Sequence, residues 1–128
     1  MNLNQLDIIV SDIPQVCAEL ECILDKKADY VDNSFAQFTI GSHCLMLSQN
    51  HLIPLNNFQS GIILHIEVED LDQNYQRLKE LGVEILHGPC ETDWGTESLL
   101  VSGPAGIVFD FLREKIEKIG VIRSFSGG

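Results

Sequence analysis

An internal echo constrains this chain more than any other feature. Sliding the first half forward by the interval between Ile8 and Ile66 also sets Val10 on Val68, Asp12 on Asp70 and Ile13 on Leu71. The same slide sets Gln15 on Gln73, Leu20 on Leu78 and Ile23 on Leu81. The matches gather at a strand–helix junction and along one helical stripe. A duplicated unit dictates architecture, because each copy repeats one supersecondary element.

Within the first copy, residues 6–10 form a short run rich in β-branched side chains, and predict a strand. Ser11 and Asp12 supply a helix cap, and Pro14 is tolerated in the first turn. Ile13, Val16, Cys17, Leu20, Ile23 and Leu24 then recur at three- and four-residue intervals, the stripe of an amphipathic helix. The cations Lys26 and Lys27 suit its C-terminal end. Residues 30–31, 35–40 and 44–48 predict three strands, followed by a polar loop over 49–60. The second copy repeats the order. It has a strand at 62–68, a cap at Glu69–Asp70, and a helix marked by Leu71, Tyr75, Leu78 and Leu81 that Gly82 stops. Strands follow at 83–86, 97–101 and 106–112, with Gly103-Pro104-Ala105-Gly106 turning between the last two.

The fold class expected is therefore α+β: two βαβββ modules forming a curved mixed sheet around a concave cleft, with the helices on the outer face. At 128 residues one domain is expected, since domains usually run to about 100–200 residues. It spans 1–113, with module one at 3–50 and module two at 61–113. Residues 114–128 form an extension whose Ile116, Ile119, Val121 and Ile122 suit packing on the domain or on a second subunit.

Strand alternation assigns side chains to opposite faces. Leu6, Ile8, Val10 and Leu64, Ile66, Val68 are uniformly apolar and are expected under the helices, as are Leu45, Leu47, Ile107, Phe109 and Phe111. The opposite face then carries Gln5, Asp7, Cys44, Met46, Ser48, Ile63, His65, Glu67 and Asp110. Convergent polar groups in a partly apolar hollow are the signature of a ligand pocket. The alternative is a wetted sheet surface, which antiparallel sheets allow. Trp94, on a loop between Asp93 and Gly95, is placed either to stack on a ligand or to pack on its own domain. Asp110, between two phenylalanines, is either a desolvated carboxylate or an exposed acid.

Charge narrows the function classes. Asp and Glu number 19 against 8 Lys and Arg, a net charge of −11, so no basic face is available for nucleic acid or an anionic membrane. An acidic surface instead concentrates cationic ligands, or simply aids solubility. The four cysteines show neither CxxC nor the paired spacing of a zinc site. With neither a signal-like start nor a stretch of membrane-spanning length, a cytoplasmic protein with reduced thiols is expected. No Ser/His/Asp constellation, phosphate-cradling loop or dinucleotide fingerprint is present, and no catalytic residue is assigned.

Two local patterns carry a family resemblance. One is Ile8-Ile9-Val10-Ser11-Asp12-Ile13, echoed by Ile66-Glu67-Val68-Glu69-Asp70-Leu71. The other is Asp93-Trp94-Gly95-Thr96-Glu97 followed by Gly103-Pro104-Ala105-Gly106-Ile107-Val108-Phe109-Asp110-Phe111, similar to a DPxG-x-x-x-E ending. From about Leu3 to Arg113 the chain resembles the vicinal oxygen chelate superfamily. That group includes glyoxalase I, extradiol dioxygenases, fosfomycin-modifying enzymes and bleomycin-resistance proteins. The resemblance implies a fold more than an activity, because one fold hosts many functions.

Metal-dependent members of that group place ligands on the first strand of each module and a Glu on the last. Carried onto this chain, the positions fall on Gln5, Met46, Ile63 and Asp110. Gln5 and Asp110 can donate oxygen; Met46 is a soft thioether and Ile63 has no donor. A shifted set of Gln5, His65 and Asp110 is the substitute if any metal binds. The resemblance thus implies, first, a metal-free homodimer resembling bleomycin-resistance proteins. It would hold a small cationic or aromatic ligand through Gln5, Asp7, Met46, Ile63, His65, Glu67, Trp94 and Asp110. The second implication is a divalent-metal lyase resembling glyoxalase I; the third is a dimeric interaction module.

Overall fold

The computed structural model describes residues 1, 3–49, 61–92 and 95–114. In chain order the elements are β1 (Gln5–Ile9), α1 (Ile13–Leu24), β2 (Tyr30–Val31), β3 (Phe35–Ile40), β4 (His43–Ser48), β5 (Ile62–Glu67), α2 (Leu71–Glu80), β6 (Ile85–Glu91), β7 (Thr96–Ser102) and β8 (Ile107–Glu114), with one turn at Pro104–Gly106. Two four-stranded mixed sheets result, ordered β1-β4-β3-β2 and β5-β8-β7-β6. In each, the first strand runs parallel to the last and the other pairings are antiparallel. This is the paired βαβββ arrangement that the repeat predicts. Each of the two units is compact.

The repeat is visible at atomic detail in the helix caps. Asp12 Oδ1 accepts from the backbone N–H of Gln15 at 3.1 Å, and Asp70 Oδ1 accepts from that of Gln73 at 2.9 Å. Each carboxylate satisfies one of the four N–H groups that a helix start leaves without an internal partner. At the other end of α2, Gly82 adopts φ +78°. Its N–H donates to the Lys79 carbonyl, and that of Val83 to the Leu78 carbonyl. That is the Schellman ending for which a glycine is suited.

In the first unit α1 lies over β2, β3 and β4. Ile13, Cys17, Leu20 and Ile23 are buried, as are Ala36, Phe38, Leu45 and Leu47 of the sheet. In the second, α2 contributes the buried Leu71 and Leu78, while the sheet contributes Leu99, Val101, Ile107, Phe109 and Phe111. Full burial of a side chain of this size contributes about 1.5–3 kcal/mol, so these stripes carry most of each unit's stability. Burial pushes the Cys17 thiol up from its ordinary pKa, with Glu21 adding to the effect. Arg113 ties β8 to its surroundings, its Nε donating to Glu97 Oε1 at 2.7 Å and its guanidinium lying 3.7 Å from Asp72 Oδ2 of α2.

Four local expectations are corrected. Helix α1 ends at Leu24, ahead of Lys26 and Lys27, because Asp25 turns left-handed (φ 53°) and the Lys26 N–H closes onto the Glu21 carbonyl. Leu6, expected under the helix, is 38% exposed, because β1 is an edge strand beyond the main footprint of α1. Leu81, the last match of the repeat, is exposed because α2 stops at Glu80. Strand β6 extends from Ile85 to Glu91, through Gly88-Pro89. A proline is tolerated there because β6 is the other edge of its sheet, and two register shifts accommodate it.

Two outcomes are expected. Asp12→Ala and Asp70→Ala should each lower unfolding free energy by about 1 kcal/mol in chemical denaturation, the usual worth of such a cap. Gly88→Ala should be more costly. Gly88 has φ +92°, and a Cβ there would lie 2.5 Å from the Ser98 carbonyl oxygen. A drop of about 2 kcal/mol or more is expected by the same measurement, combining left-handed strain with a backbone clash.

Candidate functional site

The face of the second sheet turned away from α2 is built by register. In the parallel pair β5–β8, Ile63 lies beside Val108, His65 beside Asp110 and Glu67 beside Leu112. The antiparallel neighbour β7 sets Leu100 beside Asp110 and Ser98 beside Leu112. Along β5 the side chains alternate between half-buried and exposed, with Ile63, His65 and Glu67 on the exposed side. This is the parity that the sequence predicts.

The central feature is a hydrogen bond between His65 Nδ1 and Asp110 Oδ2 at 2.7 Å. The two partners differ in environment: the His65 side chain is 62% exposed and that of Asp110 only 8%. Asp110 is thus the desolvated carboxylate of the two alternatives above. Its other oxygen, Oδ1, is buried and makes no hydrogen bond. A buried polar atom without a partner costs about 1–3 kcal/mol, so such atoms are rare and call for an explanation at the site. Ile63, 48% exposed on the same face, adds an apolar surface next to the pair.

The corresponding face of the first unit carries Gln5 and Asp7 on β1, both exposed, with Cys44, Met46 and Ser48 half-buried on β4. Gln5 lies beside Cys44 and Asp7 beside Met46. Gln37 of β3, beside Met46, donates its side-chain N–H to Cys44 Sγ at 3.7 Å. Gln37, Ser98 and Leu100 join these faces without having been singled out in the sequence. Alternation within 35–40 and 96–102 would have placed them, since the apolar Ala36, Phe38, Leu99 and Val101 between them are buried toward the helices, although Ser98 is itself covered. Trp94 and residues 115–128 lie outside the described residues.

Comparison with known proteins follows this geometry. The family model of the Glyoxalase/Bleomycin resistance protein/Dioxygenase superfamily matches residues 2–111. A metallothiol transferase FosB of Lysinibacillus sphaericus (strain C3-41) is 29% identical over 113 residues, covering 86% of this chain and 80% of that protein. Among solved structures, one described as a conserved domain protein is 79% identical, with a TM-score of 0.84, covering 90% of this chain and all of that one. A glyoxalase/bleomycin resistance protein/dioxygenase from Nocardioides shares the fold at 19% identity, with a TM-score of 0.75 and coverages of 91% and 85%.

The divalent metal that such relatives imply can be tested against the donors present. A catalytic site normally keeps three protein ligands and one open position. Among the described residues, no three His, Cys, Asp or Glu side chains gather to hold an ion. In the second unit the position equivalent to a first-strand ligand is Ile63, a hydrocarbon. Only one imidazole and one carboxylate, His65 and Asp110, meet there. The donor set of this unit does not fit a resident divalent metal.

His65→Ala should lower stability by about 1 kcal/mol in thermal or chemical denaturation, because it strips a buried carboxylate of its partner. The effect falls at the low end of that range because water can enter where an exposed ring stood.

Proposed function

Because the chain belongs to the glyoxalase/bleomycin resistance protein/dioxygenase superfamily, we propose that it is a small-molecule-binding protein without a resident metal, holding a cationic or aromatic ligand. The observation that carries this reading is the closed His65–Asp110 pair beside an exposed Ile63. Only two ligating side chains meet there, one short of a metal site, while apolar surface is kept open on the same face. A net charge of −11 favours a positively charged ligand, by raising its local concentration. Glu67 and Trp94 are the proposed further contacts; Gln5, Asp7 and Met46 are proposed as ligand contacts on the first unit's own face. The proposal is of a cytoplasmic homodimer; no helix among the described residues is long and apolar enough to cross a membrane.

The 29% identical metallothiol transferase favours a second reading, a metal-dependent enzyme. Native mass spectrometry of the protein as isolated separates the two, since it weighs subunits, metal and organic ligand together. The first reading expects a dimer without stoichiometric metal. It also expects saturable calorimetric binding of cationic aromatic amines that weakens as salt is raised. One equivalent of metal per chain, with transferase or lyase activity restored by Mn²⁺, Ni²⁺ or Zn²⁺, would replace it with the second.

A further inference from the structure

We propose that Asp110 fixes the tautomer of His65, so that the ring, in its neutral form, offers Nε2 to the ligand as a hydrogen-bond acceptor. The ligands selected are then those with an N–H cation, such as a primary ammonium or an amidinium, joined to a flat apolar body. The inference rests on the small-molecule reading above and specifies the chemistry of its ligand.

A carboxylate has no hydrogen to give. Against an ionised Asp110 the 2.7 Å contact is made by Nδ1–H donating to Oδ2. A neutral imidazole carries a single N–H, so Nε2 is left with its lone pair; the partner of one ring nitrogen sets the role of the other. Nε2 has no hydrogen-bond partner among the described residues, and the side chain is 62% exposed. The Asp110 side chain is only 8% exposed, and the ring is its hydrogen-bond partner among the described residues.

The surroundings have the same polarity. Glu67, two residues along β5 on the same side, is exposed and acceptor-only when ionised. Asp110 Oδ1 is a buried acceptor without a donor. On the β5 and β8 part of this face the one side-chain donor, His65 Nδ1–H, is committed to Asp110, and the other polar atoms are acceptors next to the hydrocarbon of Ile63. A ligand that brings only acceptors finds no uncommitted side-chain donor on that part of the face. One that brings N–H groups meets several acceptors, and hydrogen bonds between ionised and neutral partners are the stronger kind.

The test has two parts, both on the full chain. Long-range proton–nitrogen correlation spectra of ¹⁵N-labelled protein read the tautomer directly, with the His65 signals identified by their loss in His65→Gln. The neutral ring should be Nδ1–H with a bare Nε2, and Asp110→Asn should shift it toward Nε2–H by removing the obligate acceptor. Calorimetry then compares benzylammonium with benzyltrimethylammonium, which match in charge and ring but differ in N–H donors. Benzylammonium should bind about ten-fold more tightly, the worth of a hydrogen bond to a charged group, and Asp110→Asn should abolish that preference.

An Nε2–H ring in the wild-type protein overturns the inference. Equal binding of the two probes also overturns it while leaving the binding reading intact. Binding of neither probe removes the binding reading itself. If Asp110→Asn does not fold, the wild-type spectrum and the paired probes still decide.

Discussion

Parallel pairing of the first strand with the last is the constraint on which both units depend. Two parallel strands cannot be joined by a tight turn; the chain must cross over, and here a helix begins each crossover. In the second unit α2, β6 and β7 separate β5 from β8 along the chain, yet the two lie side by side. Each helix can cover its sheet only if it starts at the right residue, and Asp12 and Asp70 mark those starts with the same hydrogen bond. The register that follows sets His65 against Asp110 and Asp7 against Met46. Side chains remote in sequence thus meet on the face that the helix leaves uncovered.

Asp110 shows how an ordinary strand accommodates an uncommon group. Its neighbours Phe109 and Phe111 turn toward α2, with ring centroids 6.1 Å apart. The carboxylate points the other way but is still covered. Burying a charged group is costly unless it is paired. His65 supplies one partner, and Oδ1 is left with none. A chain selected for stability alone would fill this position with a hydrocarbon, as it does at Val108 and Leu112 on the same strand. The exception is best understood as a requirement of what this face contacts.

Much of the architecture was legible because it rests on short-range rules. Alternation assigned Ile63, His65 and Glu67 to the exposed side of β5, and helical spacing marked Ile13, Cys17, Leu20, Leu71 and Leu78 as buried. Gly82 announced the end of α2. Features that depend on neighbours distant in sequence were harder to read. The exposure of Leu6 follows from its place at a sheet edge, which no local pattern reveals. The end of α1 depends on Asp25 adopting a left-handed conformation, which asparagine and glycine do more often. The hydrogen bond between His65 and Asp110 needs the register of a parallel pair. Alternation alone says that the two share a face, not that they stand opposite each other.

Strand β6 has one further consequence, for the behaviour of the protein in a crowded solution. A sheet edge offers unpaired N–H and C=O groups to any passing strand, and fibrous association begins there. Pro89 has no N–H to offer, and the two register shifts of β6 bend its backbone away from the flat outline that another chain would need. That border of the sheet is closed to growth by its own covalent chemistry. Strand β5, at the opposite border of the same sheet, carries no proline and pairs without a register shift, so the two borders differ in kind.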